Sequence, residues 1–364
     1  MTKRPRPARL RPARAKPVSA LRRLAVMLFS AAATFVAVMM VAVLWALWSF
    51  QGPGPMAKAG DSTTVILRRG AGLPEIAAAL ERGGVVRSGS IFVAAAQLTN
   101  AARTLKAGEY QFPSREPMSA VLDKIRAGRV VRHQITIPEG VTVDMAMEIL
   151  ARDPVLAGVA PTPPEGSILP ETYDIQRGED RAAVLRRMMD ARDNLLAALW
   201  EKRAPGLPFK SPNEAVTLAS IVEKETGLAS ERPRIAAVFH NRLAKGMRLE
   251  SDPTIIYGLT RGRPLGRGIR LSELNGETPY NTYRIDGLTP TPIANPGRAA
   301  LAAVLDPPKT DELFFVADGT GGHVFASTFE QHQANVAKWR AVEARKAAAG
   351  QPTTPETSTP VPGQ

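Results

Sequence analysis

The chain has 364 residues, with 47 Lys or Arg against 34 Asp or Glu, a formal net charge of +13 and no cysteine. The missing thiols exclude disulfides, thiolate metal sites and thiol nucleophiles. Nine of the basic residues lie in the first 23 positions, where no acid occurs, leaving about +4 on the remainder. No basic stripe interleaves with aromatics, so the charge reads as a topology signal and an attraction to anionic lipid headgroups, not as a nucleic-acid footprint.

Residues 1–23 form a basic tail, and residues 24–50 follow without one charged side chain. That apolar run exceeds the roughly 20 residues needed to span a bilayer. Trp45 and Trp48 fall near its outer end, as in an interfacial aromatic belt, and the basic tail places the N-terminus in the cytoplasm. A cleaved signal peptide would carry an apolar region of only about 7–15 residues, so a retained single-span anchor is expected.

Gln51-Gly52-Pro53-Gly54-Pro55 opens a linker over 51–61. A strand (Thr64 to Leu67), a helix (Leu73 to Glu81), a second helical stretch (Ser90 to Leu98), the segment Leu105 to Phe112 and a helix through Met118 to Ala127 make a small α/β unit over 62–133. Its Lys106-Ala107-Gly108-Glu109-Tyr110 and its strand–helix–helix–strand rhythm resemble a LysM-like module, a glycan-binding type. A plain packing domain is the alternative.

A second strand–helix unit starts at Gln134, and the Pro-rich stretch 160–166 reads as a loop. Helices are expected at 180–202, 212–226 and 231–245. From Ser251 to about Gly297 the chain is rich in Gly and Pro, a long loop of the kind that carries function on a helical scaffold. A helix (Arg298 to Leu305), a strand (Leu313 to Ala317) and a last helix (Thr328 to Lys346) complete a region over 134–346. The tail 347–364 has one charged residue, Glu356, and is dominated by Pro, Thr and Ser, the composition of a disordered segment. The fold class expected is α+β: one transmembrane helix, the small module, then a mixed α+β catalytic domain with a helical core.

The helix over 212–226 puts two acids inside an apolar pattern. Ser211-Pro212-Asn213-Glu214 carries its start signals, and Gly227 closes it. On a wheel of about 100° per residue, Ala215, Leu218, Ala219, Ile221 and Val222 spread over one face. Glu225 lies roughly 50° from the centre of that face and Glu223 roughly 110° away on the other flank. Glu225 is therefore expected to be the more desolvated, and a carboxyl against apolar surface can stay protonated near neutral pH and act as a general acid. From the helix alone, two ordinary surface acids remain the alternative.

Ile221-Val222-Glu223-Lys224-Glu225-Thr226, Val238 to Leu243, Gly246 to Leu249, Ser251-Asp252-Pro253-Thr254-Ile255-Ile256-Tyr257-Gly258, Pro279-Tyr280-Asn281-Thr282-Tyr283, Gly287 to Gly297 and Phe315 to His323 stand in order along the chain. Together they resemble the signature of the YceG-like (MltG-type) endolytic murein transglycosylases. The sequence departs from it at Glu171, where Asp is usual, and at Glu250, where Gln is common. The resemblance implies a lyase that cuts the β-1,4 bond between N-acetylmuramic acid and N-acetylglucosamine inside nascent peptidoglycan strands, leaving 1,6-anhydro ends, in cell wall biogenesis and strand termination. It also implies that Glu225 serves as general acid and then as base.

Tyr280, Asn281 and Tyr283 form a polar aromatic cluster suited to sugar contact. Arg248 is a candidate substrate contact that would orient a carboxylate or peptide stem, or else a structural ion-pair partner of Asp252 or Glu250, and Glu223, on the solvent side of the helix, is a further candidate substrate contact. Asp252, before Pro253, reads as a helix N-cap. The four His form no zinc pattern, and neither a nucleotide-binding Gly loop nor a Gly-x-Ser-x-Gly elbow occurs, so no metal and no cofactor are expected. The implied setting is the bacterial inner membrane, with the catalytic domain outside the cytoplasm and peptidoglycan polymerases and transpeptidases as possible partners. A hydrolytic muramidase on the same scaffold and a non-catalytic peptidoglycan-binding scaffold are the alternatives.

Overall fold

The computed structural model describes residues 20–349; the basic tail up to 19 and the Pro/Thr-rich tail from 350 lie outside the described residues. The chain divides into two compact units at Val131/Arg132. In the first, α1 (Ala20–Gln51) is the helix that is long and apolar enough to cross a membrane. At about 1.5 Å per residue its 32 residues reach roughly 48 Å, more than a bilayer core requires.

The rest of this unit runs β1 (Ser62–Leu67), α2 (Leu73–Arg82), α3 (Gly89–Leu98), β2 (Gly108–Pro113) and α4 (Met118–Ala127). The strands pair antiparallel, with Ser62 opposite Pro113 and Leu67 opposite Gly108. Their inward residues Val65, Leu67, Tyr110 and Phe112 pack on Leu80, Phe92, Val121 and Ile125 from the helices. Buried Tyr110 keeps its phenol satisfied by donating to the carbonyl of Lys106 at 2.8 Å. The Gly-Pro stretch expected as a linker is tied down. Gly54 N–H donates to the Arg115 carbonyl, Ala57 N–H to Ser114 Oγ, and Arg87 donates to the Pro53 carbonyl while lying 4.8 Å over the Trp48 ring.

The second unit pairs β3 (His133–Thr136) with β4 (Thr172–Ile175), and β5 (Phe314–Ala317) with β6 (His323–Ala326), each as an antiparallel two-stranded sheet. Around them are α5 (Val143–Arg152), α6 (Arg181–Glu201), α7 (Pro212–Glu225), α8 (Arg232–Ala244), α9 (Asp252–Thr260), α10 (Leu271–Leu274), α11 (Arg298–Leu305) and α12 (Phe329–Ala348). The fold class is mixed α+β, with one apolar N-terminal helix.

Helix α7 is the axis of the second unit. Ser211 caps it by accepting from the Glu214 amide, and Pro212 sits in its first turn. Residues from Ala215 through Glu223 are buried without interruption. They are enclosed by Ile235, Ala236 and Phe239 of α8, by Ala300, Leu301 and Val304 of α11, and by Tyr257 of α9. A helix buried all round has no solvent flank, so a one-face wheel misplaces Glu223. Expected nearer water, it is 8% exposed.

Candidate active site

Glu225 is the last residue of α7, half-buried where the helix opens toward the loop before α9. Burial pushes its carboxyl up to about 7. The Ser251 hydroxyl, which donates to Glu225 Oε1, opposes that shift; the negative charge of Asp252 adds to it, and the Arg242 guanidinium reduces it. The result is a carboxylic acid able to give or take a proton near neutrality.

The loop that delivers Ser251 is over-determined. Glu250 holds a left-handed backbone (φ +53°), a conformation that costs a non-glycine residue energy and persists only when its surroundings enforce it. Arg242 enforces it: its guanidinium donates to the carbonyls of Arg248 (3.0 Å), Leu249 (3.2 Å) and Leu313 (2.7 Å) and to Glu250 Oε2 (2.8 Å). Beneath this, Ser251 N–H donates to Thr282 Oγ1 at 2.9 Å, Thr254 Oγ1 donates to the Ser251 carbonyl at 2.6 Å, and the two threonine hydroxyls lie 2.8 Å apart. Ser251, Thr254 and Thr282 are 1%, 0% and 0% exposed, so this hydroxyl cluster is a fixed support.

The expected contact residues separate into two groups. Tyr283 donates its phenol to Asp252 Oδ1 at 2.7 Å, which puts it in the wall beside Glu225. Tyr280 packs its ring 5.0 Å from Tyr257, and its hydroxyl lies 2.9 Å from Thr291 Oγ1. Asn281 is 1% exposed, and its amide donates to the carbonyls of Glu273, Leu274 and Gly276, so it holds the loop that presents the tyrosines. Arg248 pairs with Asp286 at 3.0 Å and donates to the Tyr283 carbonyl, not to Asp252 or Glu250. Asp252 is the first residue of α9, and Ser251 is the cap position in its place.

Glu223 is engaged with other elements. Its Oε1 accepts from Arg232 at 2.8 Å and its Oε2 from the Gly297 amide at 2.9 Å, while Arg232 also reaches Glu139 at 3.1 Å. Its carboxyl is raised by desolvation, which the Gly297 amide and the Arg232 charge oppose. Glu223 thereby ties α7 to α8 and to the start of α11. On the far side of Glu225, Thr226 Oγ1 donates to Glu231, whose carboxylate also accepts from the His323 amide and lies 2.7 Å from His323 Nδ1. Among the described residues no group of three His, Asp or Glu side chains is disposed to hold a metal ion. A groove of about 390 Å³ lined by Leu199, Lys202, Pro233, Ala302 and Asp306 does not include Glu225.

Sequence reasoning passed over the Ser251 hydroxyl and the Thr254–Thr282 support. The signal was present in Ser251-Asp252-Pro253, where a hydroxyl directly precedes an acid at a helix start.

Fold and site together define a mixed α+β protein with a carboxyl raised to about 7 at the end of a buried helix. The YceG-like family model matches residues 65–338, and the chain belongs to that family. Proteins of two Streptococcus pneumoniae strains named endolytic murein transglycosylase are 30% identical over 325 residues, an alignment covering 76% of this chain and 58% of theirs. The chain thus spans little more than half the length of these relatives. A Bacillus subtilis protein of the same name is 28% identical over 311 residues, covering 76% of this chain and 85% of its own. A crystal structure of a yceG-like protein from Listeria monocytogenes aligns with a TM-score of 0.48 at 28% identity, covering 76% of this chain and 99% of that one.

Proposed function

We propose that this protein is an endolytic murein lytic transglycosylase held at the membrane by α1, with its second unit on the extracytoplasmic side. The observation that carries the reading is the placement of Glu225: a carboxyl raised to about 7 at the end of α7, partly exposed and held by a serine hydroxyl. Family membership and the names of the pneumococcal and B. subtilis relatives support it.

In this reading Glu225 first gives its proton to the glycosidic oxygen of the β-1,4 bond between N-acetylmuramic acid and N-acetylglucosamine. The C–O bond breaks, releasing N-acetylglucosamine with a free hydroxyl. The resulting carboxylate then takes the proton of the muramic C6 hydroxyl, whose oxygen bonds to C1. Glu225 ends protonated, no water is consumed, and the product carries a 1,6-anhydro end. Tyr280 and Tyr283 supply ring faces and hydroxyls to the sugar, and Arg248 takes a peptide stem. Glu223 and Asn281 support the site from within.

In the same reading the module over 62–133 has a LysM-like glycan-holding role and the region over 134–346 is catalytic. Peptidoglycan strands near the membrane are the substrate, and polymerases and transpeptidases working there are the partners in reach. A hydrolytic muramidase is the second reading, favoured by Asp252, a second carboxylate whose charge bears on Glu225, since ordinary glycosidases use a pair of carboxylates.

Digestion of purified peptidoglycan by the detergent-solubilised full chain, followed by mass spectrometry, tests both. Internal cuts with 1,6-anhydro ends, absent with Glu225→Gln, are expected. Reducing muramic ends would establish the hydrolytic reading, and an undiminished Glu225→Gln would end the assignment.

A further inference from the structure

The least explained pair beside Glu225 is Ser251 and Asp252, adjacent residues at the start of α9. Ser251 has one hydroxyl proton, and it is directed at Glu225 Oε1. An oxygen accepting that bond is the poorer place for a proton, so the acidic proton belongs on Oε2, the oxygen left for substrate. Ser251 is 1% exposed, which leaves its side chain little room to turn away, and the Thr282 and Thr254 hydroxyls fix the backbone that carries it.

Asp252 follows immediately, its carboxylate held by the Tyr283 phenol at 2.7 Å. The charged and titratable groups bearing on Glu225 come from three elements: Arg242 from α8, Asp252 from α9, and Tyr283 from the loop after α10, acting through Asp252. Arg242 is itself engaged by Glu250.

We propose that Ser251 and Asp252 act as an opposed pair of positioning residues that sets the protonation of Glu225. Ser251 fixes the carboxyl, steers its proton to Oε2 and favours the carboxylate left after proton donation. Asp252, locked by Tyr283, favours the protonated acid before donation and faces the positive charge that develops on the sugar as the glycosidic bond breaks. The inference rests on Glu225 being the general acid, and it holds whichever nucleophile completes the reaction.

The two residues pull in opposite directions, so their variants must move the pH–rate profile in opposite directions. The acid works protonated, and activity falls as pH rises through its pKa. Ser251→Ala removes a bond to the carboxylate and is expected to move this alkaline limb up by about half to one pH unit, with kcat lowered about tenfold and KM little changed. Ser251→Thr, which keeps the hydroxyl, is expected to restore the wild-type limb. Asp252→Asn keeps an acceptor for Tyr283 but removes the charge, and is expected to move the limb down by a similar amount; Asp252→Glu is expected to hold it in place.

The profiles are measured on the full chain in detergent with peptidoglycan as substrate, and each variant's melting transition is checked first. Where Ser251→Ala or Asp252→Asn fails to fold, Ser251→Cys, a weak donor, and Asp252→Ser, an uncharged acceptor, are read in the same way. Limbs displaced in opposite directions support the proposal. Limbs that stay with the wild type while activity falls uniformly, or that move the same way, overturn it. Glu225→Gln separates the two levels: if it retains activity, the reading of Glu225 fails. If it is inactive and the limbs do not separate, only the Ser251–Asp252 pairing fails.

Discussion

Glu223 and Glu225 stand two residues apart on one helix, carry the same side chain, and have opposite surroundings. Glu223 points into the protein, where Arg232 and the Gly297 amide occupy both its oxygens. Glu225 sits at the end of the helix, partly exposed, where a serine hydroxyl holds one of its oxygens. Partner count and access, more than burial, distinguish a carboxyl that locks a fold from one that can exchange a proton. Glu223 is the more buried of the two, yet it is saturated.

Three substitutions, with four expected effects, sharpen or break that contrast, from the largest effect to the smallest. Glu225→Gln should lower murein cleavage by about 10²–10⁴-fold, the range for losing a general acid, measured as the rate of release of soluble fragments. A variant within a few-fold of wild type would erase the distinction. Glu223→Gln should destabilise the fold by about 2–3 kcal/mol, because it leaves Arg232 buried with only half-exposed Glu139 for its charge. Its melting temperature should fall at neutral pH and little at acid pH, where protonated Glu223 is already neutral like Gln, whereas an unchanged melt at neutral pH would mean that the pair does not lock α7 to α8.

The third effect is on stability and has the opposite sign. The folded-state pKa of Glu225, about 7, lies above its ordinary value of 4.5, so the folded chain binds more protons between those pH values and loses stability as pH rises across them. Glu225→Gln removes that loss and should stabilise the protein by about 2 kcal/mol at pH 8, allowing for partial exposure, and by almost nothing at pH 4. Thermal melts at the two pH values read the difference directly. Smallest is Arg248→Ala: its pair with Asp286 is exposed on both sides, so stability should change by no more than about 0.5 kcal/mol in chemical denaturation. A larger loss would show that this exposed pair, too, is part of the lock.

Much of the framework was legible in the sequence because its signals are local. The caps and apolar periods of α6, α7, α8, α11 and α12 lie within one or two turns of chain, and the uncharged run of α1 needs no tertiary context. The strand β4 and the strand β6 escaped notice because each is four residues long and acquires its identity only from its partner, β3 or β5.

The site divides in the same way. Glu225 could be placed on the apolar side of a helix, but the burial of Glu223 depends on Arg232 and Gly297, which no helical wheel contains. Asn281 reads as a sugar contact from its tyrosine neighbours, although two carbonyls of α10 and one of the loop after it claim its amide. Ser251 becomes visible only once the left-handed turn at Glu250 brings it to Glu225.

The central claim, that Glu225 remains a protonated acid at the pH where an ordinary carboxyl is ionised, is open to direct titration. With carbon-13 in the glutamate side-chain carboxyls, the resonance that disappears in Glu225→Gln is followed against pH in the detergent-solubilised full chain. A midpoint near 7 is the predicted result. A midpoint near the ordinary glutamate value of about 4.3 would contradict the account, because a carboxyl ionised at neutral pH has no proton to give.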